Sequence, residues 1–270
     1  MTLFRNLALL AASVAPVFAQ TWTHCNPTLG EDCDPNPALG TNYTWYFNET
    51  MDEKIWNTTN GVINYGDEGA EFTIAKKLES PTIQSTFYIF FGIVESHVKM
   101  AAGPGIVSSV VLQSDDLDEI DWEWVGYNTS EIQTNYYSKG ITDYENGEFF
   151  KIENADTEFH NYTTYWDQNK IEWWVDQKLF RTLTYDEAKN KTTGNSTFPQ
   201  TPSNVRIGVW PAGDPDNAQG TIEWAGGPVN YDDGPFTMVV SQVRVHDFHT
   251  GKEYEYGDDS GLWESINVIS

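Results

Sequence analysis

The chain has 270 residues, with 15 Lys and Arg against 40 Asp and Glu, and a formal net charge of −25 at neutral pH. An acidic surface of this strength repels phosphate backbones and anionic bilayers, which excludes nucleic acid and membrane surfaces as natural partners. A neutral polysaccharide is compatible with it: the 11 Trp supply flat apolar faces of the kind that pack on sugar rings, even if a sandwich core takes about half of them.

At the N-terminus Arg5, the apolar run Leu7–Phe18 and the small-residue site Val17-Phe18-Ala19 read as a secretory signal peptide over 1–19, cleaved after Ala19. The run is too short to span a bilayer, and no later stretch reaches spanning length. The last residues, Gly261–Ser270, lack the apolar tail of a glycolipid anchor, so a soluble exported product is expected. Asn-x-Ser/Thr acceptors at Asn42, Asn48, Asn57, Asn128, Asn161, Asn190 and Asn195 agree with export and are expected at the surface.

Residues 20–40 form a strap punctuated by Pro and Gly, and they hold the only two cysteines, Cys25 and Cys33. In an oxidising compartment these are expected to pair and close a short loop. Free thiols or metal ligands are the rival reading, but with only His24 nearby they cannot complete a zinc site, and no metal is expected. From Thr41 onward short segments of period two recur between turn signals, without a helical stripe. Thr86–Met100 and Ile106–Gln113 read as long strands joined by the turn Ala101-Ala-Gly-Pro-Gly105.

The next strand carries the chemistry. In Asp118-Glu-Ile-Asp-Trp-Glu-Trp-Val-Gly126, alternation puts Glu119, Asp121 and Glu123 on one face and Ile120, Trp122 and Trp124 on the other, toward a core. Three like charges in a row repel one another and cost stability, so they call for a functional reason. Glycoside hydrolysis or transfer uses two carboxyls flanking the scissile bond, about 5–5.5 Å apart in retaining enzymes, and two Glu leaning inward from a strand approach that separation. Asp121, between them, is placed to control the charge of Glu119, and crowding should leave one group protonated while another is ionised. The bland alternatives are a solvated acidic strand or a calcium site, but calcium collects its oxygens more readily from loops.

Further along, Gln133, Asn135, Tyr137 and Lys139 follow at spacing two and are expected on one strand face. Ile171, Trp173 and Val175 alternate with Glu172, Trp174 and Asp176, and a turn at Asp176-Gln-Lys leads back through Leu179–Leu183 as a hairpin. Tyr185–Lys189 fits a single helical turn, and Asn190–Pro202 is a polar loop. Val239, Val243 and Val245 are expected on one face of a late strand, with Ser241 as its polar exception. Together these elements argue for an all-β sandwich of two antiparallel sheets, one domain over residues 20–270, acting as a monomer.

Glu119-x-Asp121-x-Glu123 is similar to the unbulged signature of glycoside hydrolase family 16. The wider stretch Asp118–Gly126 resembles the fungal cell-wall transglycosylases of the Crh family. So do the cysteine strap, Gln133–Gly140, Phe159-His160 with Trp166, Ile171–Val175, Val209–Gly213 and Thr221–Gly227. The resemblance implies a β-jelly roll with a concave substrate cleft. It further implies Glu119 as nucleophile, Asp121 as its supporting acid and Glu123 as acid/base, with Gln133 and Asn135 on the donor side and Trp210 and Trp224 as sugar-stacking aromatics. Tyr137 and Lys139 join the substrate-binding set by their shared face. The implied activity cleaves chitin and passes the new end to β-glucan or chitin acceptors, cross-linking the fungal wall without a metal or organic cofactor. Leu117 stands where plant relatives acting on xyloglucan carry His, which argues against that substrate. A hydrolase of β-1,3 or mixed-linked glucan is the runner-up. A non-catalytic sugar-binding jelly roll or a structural wall protein would have no use for the three aligned acids.

Overall fold

A computed structural model describes residues 22–48, 50–141, 143–189 and 196–270; the segment 1–19, expected to be a signal peptide, and the acceptors Asn190 and Asn195 lie outside the described residues. The first strands are β1 (Asn36–Pro37), β2 (Asn42–Tyr46), β3 (Trp56–Asn60), β4 (Ile63–Gly66), β5 (Gly69–Ile74) and β6 (Thr82–Ser85). Next come β7 (Gly92–Lys99), β8 (Val107–Ser114), β9 (Glu119–Val125), β10 (Glu131–Tyr137), β11 (Glu148–Lys151) and β12 (His160–Trp166). They are followed by β13 (Lys170–Val175), β14 (Lys178–Thr184), β15 (Ser203–Trp210), the short helix α1 (Gln219–Trp224), β16 (Phe236–Asp247), β17 (Glu253–Tyr256) and β18 (Ile266–Ile269).

These strands pair antiparallel into two large sheets. One has seven strands in the order β11-β10-β9-β8-β15-β6-β3; the other runs β14-β13-β12-β7-β16-β5-β4, with β2 also on β16. A three-stranded sheet, β1-β17-β18, flanks them. This is the all-β sandwich that the period-two patterning implies. Ile120, Trp122 and Trp124 of β9 face the opposite sheet, where Tyr162 meets both indoles edge-on. The Trp122 indole N–H donates to Thr164 Oγ1 at 3.0 Å, so the aromatic core under the acids leaves that donor satisfied. Arg181 of β14 lies between Trp173 and Tyr136 and donates to the Thr134 carbonyl at 3.0 Å, tying β10 to the layer beneath it.

Three expectations are corrected. Thr86–Met100 is not one strand: β6 stops at Ser85 and β7 starts at Gly92. Between them Phe87, Ile89, Phe90 and Phe91 are all buried, which a period-two strand cannot achieve, and Phe91 turns the chain at φ 61°. Val239 does not share a face with Val243 and Val245, because the register of β16 against β7 slips between Val240 and Gln242. Ser241 is the extra residue of that bulge, which explains why a polar residue interrupts the valine pattern. The acceptors Asn42, Asn48 and Asn57 are exposed as expected, but Asn128 and Asn161 are half-buried. The Ile171–Leu183 hairpin forms as read, with Asp176 and Gln177 both at positive φ in its turn.

Candidate active site

Register builds the site from β9 outward. On the face turned away from the core, Glu119 stands between Gln113 of β8 and Tyr137 of β10, Asp121 between Val111 and Asn135, and Glu123 between Ser109 and Gln133. One strand further, β15 adds Asn204, Arg206 and Gly208 to the same three rows. Although this face looks away from the core, Glu119, Asp121, Gln113, Asn135, Asn204 and Arg206 are all buried, Asp121 to 2% exposure. These side chains form a polar floor withdrawn from solvent, covered in part by the N-terminal strap at Trp22. On the β8 and β15 side of Glu123 the row holds Ser109 and Gly208, so no bulky side chain rises on that side.

The three carboxyls hold their protons unequally. Burial pushes Glu119 up to about 7, opposed by a hydrogen bond from Asp121 and by the charge of Arg206. Burial pushes Glu123 up to about 8, and the neighbouring Glu119 charge adds to it. Asp121 is raised well above the carboxylate range by burial and by both glutamates, and among the described residues no donor reaches its buried Oδ1. Only Glu119 therefore has neighbours that favour its anion. The shifts favour the protonated form of Asp121 beside Glu119 and of Glu123 beyond it, an inequality of the kind that can separate an acid from an ionised carboxylate.

Around them, Tyr137 is held protonated by burial and the three acids, and its oxygen accepts Asn135 Nδ2 at 2.8 Å. Gln133 Oε1 accepts the Trp224 indole N–H at 3.0 Å. Trp224 sits on α1 with its ring 6.1 Å from that of the buried Trp210, which backs it at the cleft end near Val107 and Val125. Structure thus brings together Glu119, Asp121, Glu123, Gln133, Asn135, Tyr137, Trp210 and Trp224.

Lys139 does not join them. β10 ends at Tyr137, Lys139 takes φ 54°, and its Nζ pairs with Asp118 Oδ2 at 2.6 Å and Asp116 Oδ2 at 2.9 Å. Both aspartates are fully buried, and an ammonium committed to two buried carboxylates is not available to a sugar. The cluster anchors the start of the acid strand instead: Asp118 Oδ2 also accepts the Gln200 N–H and Asp118 Oδ1 the Ser138 hydroxyl. Cys25 and Cys33 form the expected disulfide. Among the described residues they and Glu31 are the only metal-ligand cluster, and the disulfide occupies both sulfurs.

Sequence reasoning missed Arg206, Gln113 and Trp22. Gln113 Nε2 reaches Glu119 Oε2 at 3.4 Å, and its Oε1 accepts the Trp22 N–H at 3.3 Å. Arg206 donates to the Trp22 carbonyl at 3.0 Å and to Asn204 Oδ1 at 3.0 Å, with the Trp22 ring 5.3 Å from its guanidinium. Alternation within β15 (Asn204, Arg206, Gly208 and Trp210 against Val205, Ile207 and Val209) held the signal for Arg206.

Residues 49–226 match the glycosyl hydrolases family 16. The chain is 62% identical over 271 residues to Crh-like protein 3 of Aspergillus fumigatus, covering all of this chain and 74% of that protein. Among solved structures it is similar to an apo Crh5 transglycosylase, with 44% identity, a TM-score of 0.86, and coverage of 90% of this chain and 100% of that one. The same enzyme in complex with NAG matches at a TM-score of 0.85 and 44% identity, over 90% of this chain and 99% of that one.

Proposed function

This chain belongs to glycosyl hydrolases family 16 and, within it, to the fungal Crh-like proteins, and from that premise we propose that it is a retaining cell-wall transglycosylase acting through Glu119, Asp121 and Glu123. The observation that carries the reading is geometric: Glu119, Asp121 and Glu123 line one face of β9, with Gln113 Nε2 reaching Glu119 and a ring of buried polar side chains around them. In the first step the Glu119 carboxylate attacks the anomeric carbon of the donor. The glycosidic bond breaks, and its oxygen leaves with the Glu123 proton. Asp121, donating to Glu119 beforehand, holds the nucleophile in place and gives up that hydrogen bond as charge leaves the carboxylate. In the second step ionised Glu123 takes the proton of an acceptor hydroxyl, whose oxygen attacks the same carbon and releases Glu119. Water and a sugar hydroxyl compete for this intermediate; a sugar yields transfer.

Gln133, Asn135, Tyr137 and Trp224 are the groups that hold the donor, with Trp210 backing Trp224. Chitin is the donor this reading favours, and β-glucan or chitin the acceptor. The NAG complex of the similar Crh5 enzyme supports a sugar of that type. Residues 20–270 act as one catalytic unit, exported to the fungal wall, and no helix among the described residues is long and apolar enough to cross a membrane. The test incubates the protein with chitin oligosaccharides and a fluorescent glucan or chitin acceptor. Labelled products longer than the acceptor are expected. Reducing sugar without chain growth would defeat the transferase reading, and full turnover by Glu119→Gln would defeat the site.

A further inference from the structure

The outer face of the eight-stranded sheet, on the far side of the core from the cleft, carries a groove of about 450 Å³ lined by Trp174, Tyr165, Glu95, Glu172, Asn161 and Thr163. Register makes these one surface. Thr163 of β12 lies between Trp174 of β13 and Glu95 of β7, and Tyr165 lies opposite Glu172. Trp173 and Trp166 point into the core and are fully buried, whereas Trp174 and Tyr165 project outward and are only half-buried. Outward positions of such a sheet ordinarily carry polar residues, and the catalytic reading makes no use of these aromatics.

Two of the groove's walls are the acceptor Asn161 and the Thr163 of its own Asn-Tyr-Thr triplet. The Asp176 N–H donates to the Asn161 carbonyl at 3.0 Å, so Trp174, two residues before Asp176, is a diagonal neighbour of Asn161 at about 7–8 Å. Asn161 Oδ1 accepts the Thr163 hydroxyl at 3.2 Å, while Nδ2 points across the groove toward Glu95 Oε2 at a loose 3.5 Å. The nitrogen that would bear an N-linked sugar is thus aimed over the aromatic floor rather than away from the protein.

We propose that Asn161 carries an N-linked glycan whose first N-acetylglucosamine units lie in this groove. The apolar sugar face rests on Trp174, whose indole N–H is held by Glu172, and sugar O–H and acetamide N–H groups donate to Oε2 of Glu95, whose Oε1 pairs with Arg244. The tether selects the occupant: a sugar already bonded to the groove wall meets the floor at millimolar effective concentration, so a shallow site suffices. Carboxylate acceptors beside an aromatic face suit a neutral, hydroxyl-rich ligand.

The experiment uses protein secreted from a glycosylating yeast or filamentous fungus, as wild type, Asn161→Gln, Trp174→Ala, the bulkier Trp174→Leu, and Asn161→Gln combined with each Trp174 variant. Glycopeptide mass spectrometry should find Asn161 occupied. Wild type should melt about 2–4 °C above Asn161→Gln, the size of shift expected for one modest contact in a chain of this length. In the Trp174→Ala and Trp174→Leu backgrounds that difference should vanish, while all variants retain transglycosylase activity. An unoccupied Asn161, or an equal glycan increment with and without Trp174, would overturn the proposal. So would Trp174-dependent retention of free chitin or glucan oligosaccharides by protein bare at Asn161, which would assign the groove to wall polysaccharide instead.

Discussion

Replacing Glu123 by Gln removes a proton site while keeping shape, and its effect on stability should depend on pH. Burial raises the Glu123 carboxyl from 4.5 to about 8, so the folded chain binds this proton more tightly than the unfolded one. Stability from this group is therefore complete below about pH 4.5 and declines as pH rises toward about 8. For those two values the loss between about pH 5 and about pH 7 is roughly 2.5 kcal/mol as a ceiling, at 1.36 kcal/mol per pH unit. Solvent at the half-buried carboxyl reduces it to about 1–2 kcal/mol. Glu123→Gln escapes that decline, so its Tm advantage over wild type should grow by about 2–8 °C across the same interval. Scanning calorimetry of both proteins at several pH values measures the gap. Parallel curves, or a wild type that gains on the variant as pH rises, would refute the raised proton affinity on which the acid role rests. The same variant should lose about 10²–10⁴-fold in donor cleavage.

Other perturbations test the surroundings. Lys139→Met strips the cation from the buried Asp116 and Asp118, which should cost about 3–5 kcal/mol in urea unfolding, with part recovered in acid as Asp118, already raised by burial, protonates; a neutral result would mean the cluster does not anchor the acid strand. Trp224→Phe leaves Gln133 Oε1 without its indole donor, and a loss of about 1–2 kcal/mol predicts KM for chitin oligosaccharides raised about 5–30-fold with kcat little changed. An unchanged KM would remove Trp224 from the donor site. Reducing Cys25–Cys33, separated by 8 positions, frees a short loop and should lower stability by about 2–3 kcal/mol. It should also loosen Trp22 from Arg206, read as a fall in intrinsic tryptophan fluorescence anisotropy; unchanged Tm and anisotropy would contradict the strap's role.

Much of the site was legible because alternation along an extended chain is local. Glu119, Asp121 and Glu123 share a face for the same reason that Ile120, Trp122 and Trp124 share the other, and no tertiary information is needed to see it. The same rule placed Trp173 in the core and Trp174 outside it. It failed where the backbone left the extended region or slipped: at Lys139, past the end of β10; at Ser241, where a bulge inverts the alternation; and at Phe87–Phe91, where consecutive apolar residues turn inward.

Alternation says which way a side chain points but not what stands beside it. Gln113, Arg206 and Trp22 meet near Glu119 only because β8 and β15 pair across some ninety residues of chain and the N-terminal strap folds over them. Those pairings determine how deeply the acids are buried and which of them finds a stabilising donor. The acidic ladder and its chemistry thus belonged to the sequence alone, through the geometry of a single strand. Which carboxyl yields its proton was decided by tertiary structure, because burial and neighbouring charge arise from segments that only the folded sheets bring together.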